Sequence, residues 1–140
     1  PNDDPTYLKQ VESECCGDIE YLGQVSDDVK NCFLSRAKAL IYPINYPQGV
    51  GEAHSHKSVD SLLFGTPVVA YRQGALGEVI EHGVDGFLAA NEREFVDYML
   101  KVDSLDRDVI RQRATERWSI ENVVSRAIST LKSVAGGLRW

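Results

Sequence analysis

The sequence predicts an α/β fold, a Rossmann-like parallel sheet of about four strands with helices on its flanks. Two observations carry that reading. Short apolar runs at residues 39–42, 68–71 and 87–89 are bounded by glycine or proline and have the length of buried strands. Between them lie segments whose apolar residues recur at helical spacing, on connections of only a few residues, as βαβ units require.

The elements follow in order. Asp3 or Asp4 can cap a helix whose first residue is Pro5. Tyr7, Leu8, Val11 and Cys15 give it an apolar stripe, and Gly17 ends it. Residues 19–22 read as a short strand. Ser26 caps a second helix with Asp27 and Asp28 in its first turn, where the helix dipole favours carboxylates. Val29, Cys32, Phe33 and Ala37 form its expected core face. After the strand at 39–42, residues 43–51 hold two prolines and two glycines and form a loop.

The next helix carries the chemistry. Glu52, His56 and Asp60 lie at i, i+4 and i+8 on one face, with Lys57 beside them. Val59, Leu62 and Leu63 form another face that anchors the helix to a core. Gly65 suits the position after the helix, where φ is positive, and Pro67 forbids further helix. A strand through Tyr71 follows. Gly74 opens a second glycine-bearing turn before a short helix at 76–81. Gly83 and Gly86 flank a tight turn ahead of the strand at 87–89. Asn91 and Glu94 make a cap for a helix at 95–102. Helices at 105–117 and 120–134 complete the unit, and 136–140 reads as a tail.

Composition narrows the function. A chain of 140 residues is one domain's worth of sequence, and 43% hydrophobic with 26% charged residues is ordinary for a globular domain. A net charge of −6 argues against a nucleic-acid-binding surface. No apolar run approaches the roughly 20 residues that span a bilayer. No signal peptide is read, although a chain opening on Pro1 is compatible with a lost targeting segment. Cys15, Cys16 and Cys32 are a poor disulfide framework, and with His54, His56 and His82 they complete no zinc set. Reduced thiols in a cytoplasmic protein are the simplest expectation.

The helix and its surroundings resemble the donor-binding signature of family 4 glycosyltransferases, enzymes of the two-domain GT-B fold. In that family a Glu, seven residues and a second acidic residue precede a Gly-Thr-Pro-Val-Val strand. Glu52, Asp60 and Gly65-Thr66-Pro67-Val68-Val69 repeat that order. The run from Gly74 to Leu88 is similar to the family's Gly-Gly-x-Pro-Glu-Val-x-x-x-Gly-x-x-Gly-Phe-Leu. Tyr21-Leu22-Gly23, Ala39-Leu40-Ile41-Tyr42-Pro43 and Arg117-Trp118-Ser119 also fit.

That resemblance implies a donor-binding domain over residues 1–135, without its first strands, that transfers sugar from a nucleotide diphosphate sugar with retention of configuration. It implies an N-terminal acceptor-binding domain on a longer chain, inactivity of the isolated chain, and cytoplasmic location at most touching the membrane surface through the missing domain. It implies no cofactor and no metal beyond the donor itself. Glu52 would sit by the donor sugar as the catalytic residue. Asp60 would take the ribose hydroxyls and Lys57 would lie near the phosphates, with His56, Gly23, Gly51, Gly74 and Ala75 around the donor. Glu78 would cap the Gly74 turn or line the site, and Arg72 would mark its mouth or form a surface salt bridge. Two departures stand out. Asp60 is one methylene shorter than the family's usual Glu. The run Pro43-Ile44-Asn45-Tyr46-Pro47-Gln48-Gly49-Val50-Gly51 resembles Pro-Ile-x-Trp-x-Glu-Pro-Phe-Gly, which would put Gln48 in the place of Glu52. A non-catalytic nucleotide-binding or interaction module of the same fold is the alternative, and a sugar-nucleotide epimerase ranks below it.

Overall fold

The computed structural model describes residues 5–15, 17–44 and 55–136, with the side chains of Pro5 and Leu8 set aside. The chain forms two compact units, Pro1–Lys30 and Asn31–Trp140.

In the first unit, helix α1 (Pro5–Glu14) ends at Gly17, whose φ of 65° favours glycine. Val11 is half-buried and Tyr7 is exposed, so the expected stripe is only partly used. Residues 19–22 form no strand. A strand exists only where a neighbour completes its ladder, and the sheet holds three strands, none of them here. Ile19, Tyr21 and Leu22 are exposed accordingly. Ser26 caps α2 (Asp27–Arg36) as expected, its hydroxyl accepting from the Val29 N–H at 3.4 Å. Val29, Cys32 and Phe33, however, are exposed and α2 buries no residue, contrary to the expected core face. Helical spacing names a face, but burial needs an element packed against it.

The second unit is built on β1 (Leu40–Tyr42), β2 (Val68–Tyr71) and β3 (Gly86–Ala89), parallel and side by side in that order. Among the described residues the sheet therefore has three strands rather than about four. Helices α3 (His56–Leu63) and α4 (Leu76–Val79) connect them. Beyond β3 come α5 (Glu92–Met99), a 3-10 turn (Val102–Ser104), α6 (Arg107–Trp118) and α7 (Ile120–Ala135). The cap at Asn91 starts α5 earlier than expected. Its side chain accepts from the Glu94 N–H at 3.0 Å, so Glu92, Arg93 and Glu94 already form the first turn.

Side chains alternate along the strands and divide the core into two layers. Val68, Ala70 and Leu88 face Leu62 of α3 and Ile110 and Ala114 of α6. Val69, Phe87 and Ala89 face the other way, onto Phe95 of α5 and Val102. Strands covered on both faces read as continuous apolar runs, as these do. Two glycines make the packing possible. A β-carbon on Gly86 would overlap the Val68 backbone, and one on Gly65, at φ 72°, would lie 2.5 Å from the Arg107 carbonyl oxygen.

Candidate functional site

The first turn of α3 is set by serines. Ser55 caps the helix, its hydroxyl accepting from the Ser58 N–H at 3.3 Å and from the Ser58 hydroxyl at 2.9 Å. The Ser61 hydroxyl donates to the Thr66 carbonyl oxygen at 2.9 Å. Ser55, Ser58 and Ser61 recur every three residues and are buried, so α3 lies close to its neighbours along this edge. Leu62 is buried with them, and Val59 and Leu63 pack partly buried on the same core, as the sequence suggested. His56 and Lys57 are exposed and Asp60 is half-buried. Glu52, Gln48 and Gly51 lie outside the described residues.

The parallel register aligns the C-terminal ends of the strands. Tyr42 pairs with Ala70, and Tyr71 with Ala89. From this edge the chain leads into α3 after β1, into α4 after β2 and into α5 after β3. Ligands of open α/β sheets bind at such an edge, where helix N-termini present backbone N–H groups and the positive end of the dipole. Gly74, at φ 51°, and Ala75 form the turn that enters α4. The Arg72 side chain is exposed beside them, while its backbone N–H donates to the Ala89 carbonyl oxygen at 2.8 Å. The start of α3, with His56, Lys57 and Asp60, therefore shares one sheet edge with Gly74 and Ala75. Gly23, at φ 63°, belongs to the first unit.

The family model described as glycosyl transferases group 1 matches residues 1–103, which include α3, the Gly74 turn and all three strands. The chain belongs to this family. A search of curated proteins found no match.

In this glycosyltransferase α3 carries both hydrogen-bond acceptors and donors. The Asp60 carboxylate accepts hydrogen bonds, the Lys57 ammonium supplies positive charge and three donors, and the imidazole of His56 can do either. Among the described residues, no group of His, Cys, Asp and Glu could hold a metal ion, and no helix is long and apolar enough to cross a membrane. Cys15 and Cys32 are free thiols.

A cavity of about 340 Å³ lies elsewhere, at the opposite end of the strands, lined by Leu62, Asp85, Arg113, Arg117 and Trp118 among others. Its cations are already committed. Arg113 donates to buried Asp85 at 3.1 Å and to Glu81, and the Asp85 hydrogen bond holds the guanidinium pKa above its ordinary value. Arg117 donates to the carbonyl oxygens of Glu78 and Val79 and stacks on Trp118 at 4.8 Å. The arginines fasten α6 to the α4 region, so this cavity is a structural joint of the glycosyltransferase.

The charges of His56, Lys57 and Asp60 are visible in the sequence, whereas the buried serines that fix their helix carry none. The available signal was a small residue every third position at 55, 58 and 61.

Proposed function

We propose that this glycosyltransferase is the donor-binding part of a family 4, GT-B enzyme, with residues 1–135 as its donor domain. It takes sugar from a nucleoside diphosphate sugar and transfers it with retention of anomeric configuration to an acceptor held by an N-terminal domain. The observation that carries the reading is the family match across residues 1–103, which contains both the α3 signature and the Gly74 turn that share one sheet edge.

The proposed roles follow from the chemistry of the ligand. Asp60 accepts from the ribose hydroxyls. The N-terminal N–H groups of α3 and the Lys57 ammonium balance the diphosphate, with His56 alongside, so the reaction requires neither a metal nor a cofactor. Gly74 and Ala75 allow close approach of the backbone to the donor. Glu52, or Gln48 in the other register, faces the sugar, where positive charge develops at the anomeric carbon as the bond to phosphate breaks. Gly51 completes the surroundings.

Titration calorimetry with the four common nucleoside diphosphates tests the binding half. One base should bind distinctly better than the rest, and its sugar-bearing form should bind at the same stoichiometry. Absence of binding by every one of them at millimolar concentration would refute a donor site here. In a transfer-competent preparation, the anomeric proton coupling of the first-formed product tests retention.

A further inference from the structure

Among the described residues β3 ends the sheet, and its outer edge is covered by a turn and by side chains instead of a further strand. The parallel register directs the peptide groups of Phe87 and Ala89 to β2, so those of Gly86, Leu88 and Ala90 point outwards. Gly83, beside the His82–Gly86 bridge, donates its N–H to the Gly86 carbonyl oxygen at 2.7 Å. The Leu88 N–H donates to Nδ1 of His82 at 3.1 Å, and the Ala90 N–H to the Glu94 carboxylate at 2.9 Å. Leu88 is buried, so its N–H depends on that ring.

The ring is held from the side as well. It packs edge-to-face on Phe87 at 5.6 Å and on Tyr98 at 5.2 Å, and those two rings stack on each other at 4.9 Å. His82 is nevertheless exposed, so protons reach it. An imidazole accepts a hydrogen bond only through a nitrogen that carries no proton, so the bond from Leu88 selects the neutral ring with its proton on Nε2. On its own segment the charged neighbours are Glu81 and Asp85, both engaged by Arg113. From α5 and the residues after it come Glu94, committed to the Ala90 N–H, the Tyr98 phenol, and Lys101, whose ammonium stands over the Tyr98 ring at 5.7 Å. Strand β3 contributes no charge. Among the described residues no carboxylate forms an ion pair with His82.

We propose that His82 is an acid-sensitive latch on the outer edge of β3. While the ring is neutral, Nδ1 accepts from Leu88 and the turn is pinned to the strand. A proton on Nδ1 converts the acceptor into a donor, sets N–H against N–H and releases the ring. The latch therefore opens as the pH falls through the range of about 8 to 5 in which imidazoles gain charge. The opening is local, because the ladder between β2 and β3 does not involve the ring.

Hydrogen exchange of the Leu88 amide in the 140-residue chain, corrected for intrinsic rates, tests this between about pH 8 and about pH 5. Its protection should fall about tenfold across that range. The Leu40 amide, bonded to the Pro67 carbonyl oxygen at 2.9 Å on the far strand, should keep its own. His82→Asn puts an amide oxygen where Nδ1 stands and takes up no proton, so Leu88 should stay protected at both ends of the range. His82→Phe retains an aromatic ring without an acceptor, and protection should be low at both ends. The side-chain nitrogen shifts of His82 at about pH 8 should report the Nε2–H ring. Constant protection of Leu88 in the unaltered chain would overturn the proposal. So would a pH-dependent loss that persists in His82→Asn, undiminished protection in His82→Phe, or a ring protonated on Nδ1 at the upper end of the range.

Discussion

The Arg107 guanidinium donates to the Thr66 hydroxyl at 2.8 Å, and that hydroxyl in turn donates to the Leu34 carbonyl oxygen. The same guanidinium reaches the carbonyl oxygens of Ser35 at 3.1 Å and Ala37 at 2.5 Å. The end of α2, the start of α6 and the Gly65–Pro67 corner before β2 are thus joined by one side chain. Carbonyls at a helix C-terminus lack helical partners and carry partial negative charge, so a guanidinium suits them. Arg107→Met should cost about 2–3 kcal/mol, because hydrogen bonds to a charged group are lost and acceptors are left unsatisfied. Arg107→Lys should recover only part of this, since an ammonium cannot span the same fork. Urea denaturation of both variants checks it, and a loss below about 0.5 kcal/mol for Arg107→Met would show that water replaces the joint without cost.

Glycines offer a graded test of the packing. Gly86→Ala drives a methyl into the Val68 backbone, and Gly65→Ala meets the Arg107 carbonyl at a positive φ. Neither neighbour is a flexible side-chain tip, so each substitution should cost at least about 3 kcal/mol or prevent folding. Gly77, within α4, has nothing within 4 Å of its added β-carbon. Gly77→Ala should leave stability unchanged or raise it by up to about 1 kcal/mol. Thermal melts of the three variants check the order, and equal melting temperatures would mean that the β3–β2 approach is looser than described.

How much of this was legible in the sequence depends on which interaction decided each feature. Val68–Tyr71 and Gly86–Ala89 were legible because their apolar runs and flanking glycines act locally. Ser26, Asn91 and Gly65 were legible for the same reason, each acting on its own helix end. Residues 19–22 have strand-like composition, but a ladder needs a partner that composition does not name. Phe33 and Val29 have helical spacing, but nothing in that spacing says which face will be covered. The reach of Arg107 to Ala37 across 70 residues has no periodic signature at all. At the candidate site, charge on α3 was visible, whereas the buried pair Ser55 and Ser58 depends on how closely the helix approaches the sheet.

Asp60 is the residue by which the donor reading can be tested on the chain itself. A carboxylate can accept from both ribose hydroxyls, whereas an amide accepts through one oxygen only. Asp60→Asn should therefore weaken the best nucleoside diphosphate by about 1–3 kcal/mol, roughly 5- to 150-fold in the dissociation constant. Asp97→Asn changes an exposed carboxylate on α5 and should leave the affinity as it was. Calorimetry on both variants decides it, and equal affinities would remove Asp60 from the site. The 2′-deoxy form of the nucleotide supplies a second reading: it should bind the unaltered chain more weakly, and Asp60→Asn should narrow that difference.

The choice between Glu52 and Gln48 turns on which residue faces the donor sugar. If Glu52 does, Glu52→Ala removes an acceptor from the sugar hydroxyls and leaves the diphosphate contacts intact. The intact sugar donor should then bind more weakly to the variant, while the free nucleoside diphosphate binds almost as before. In a transfer-competent preparation the larger loss should fall on kcat, because the carboxylate interacts most strongly once positive charge has developed at the anomeric carbon. Removing one such preorganised group commonly costs about two to three orders of magnitude. Gln48→Ala should be mild in both measurements, because in this register Gln48 belongs to the segment before the signature. The opposite pattern, with Gln48→Ala crippled and Glu52→Ala near normal, would place a neutral amide at the sugar and four extra residues between it and the start of α3. The charge that steadies the anomeric centre would then have to come from a group other than Glu52.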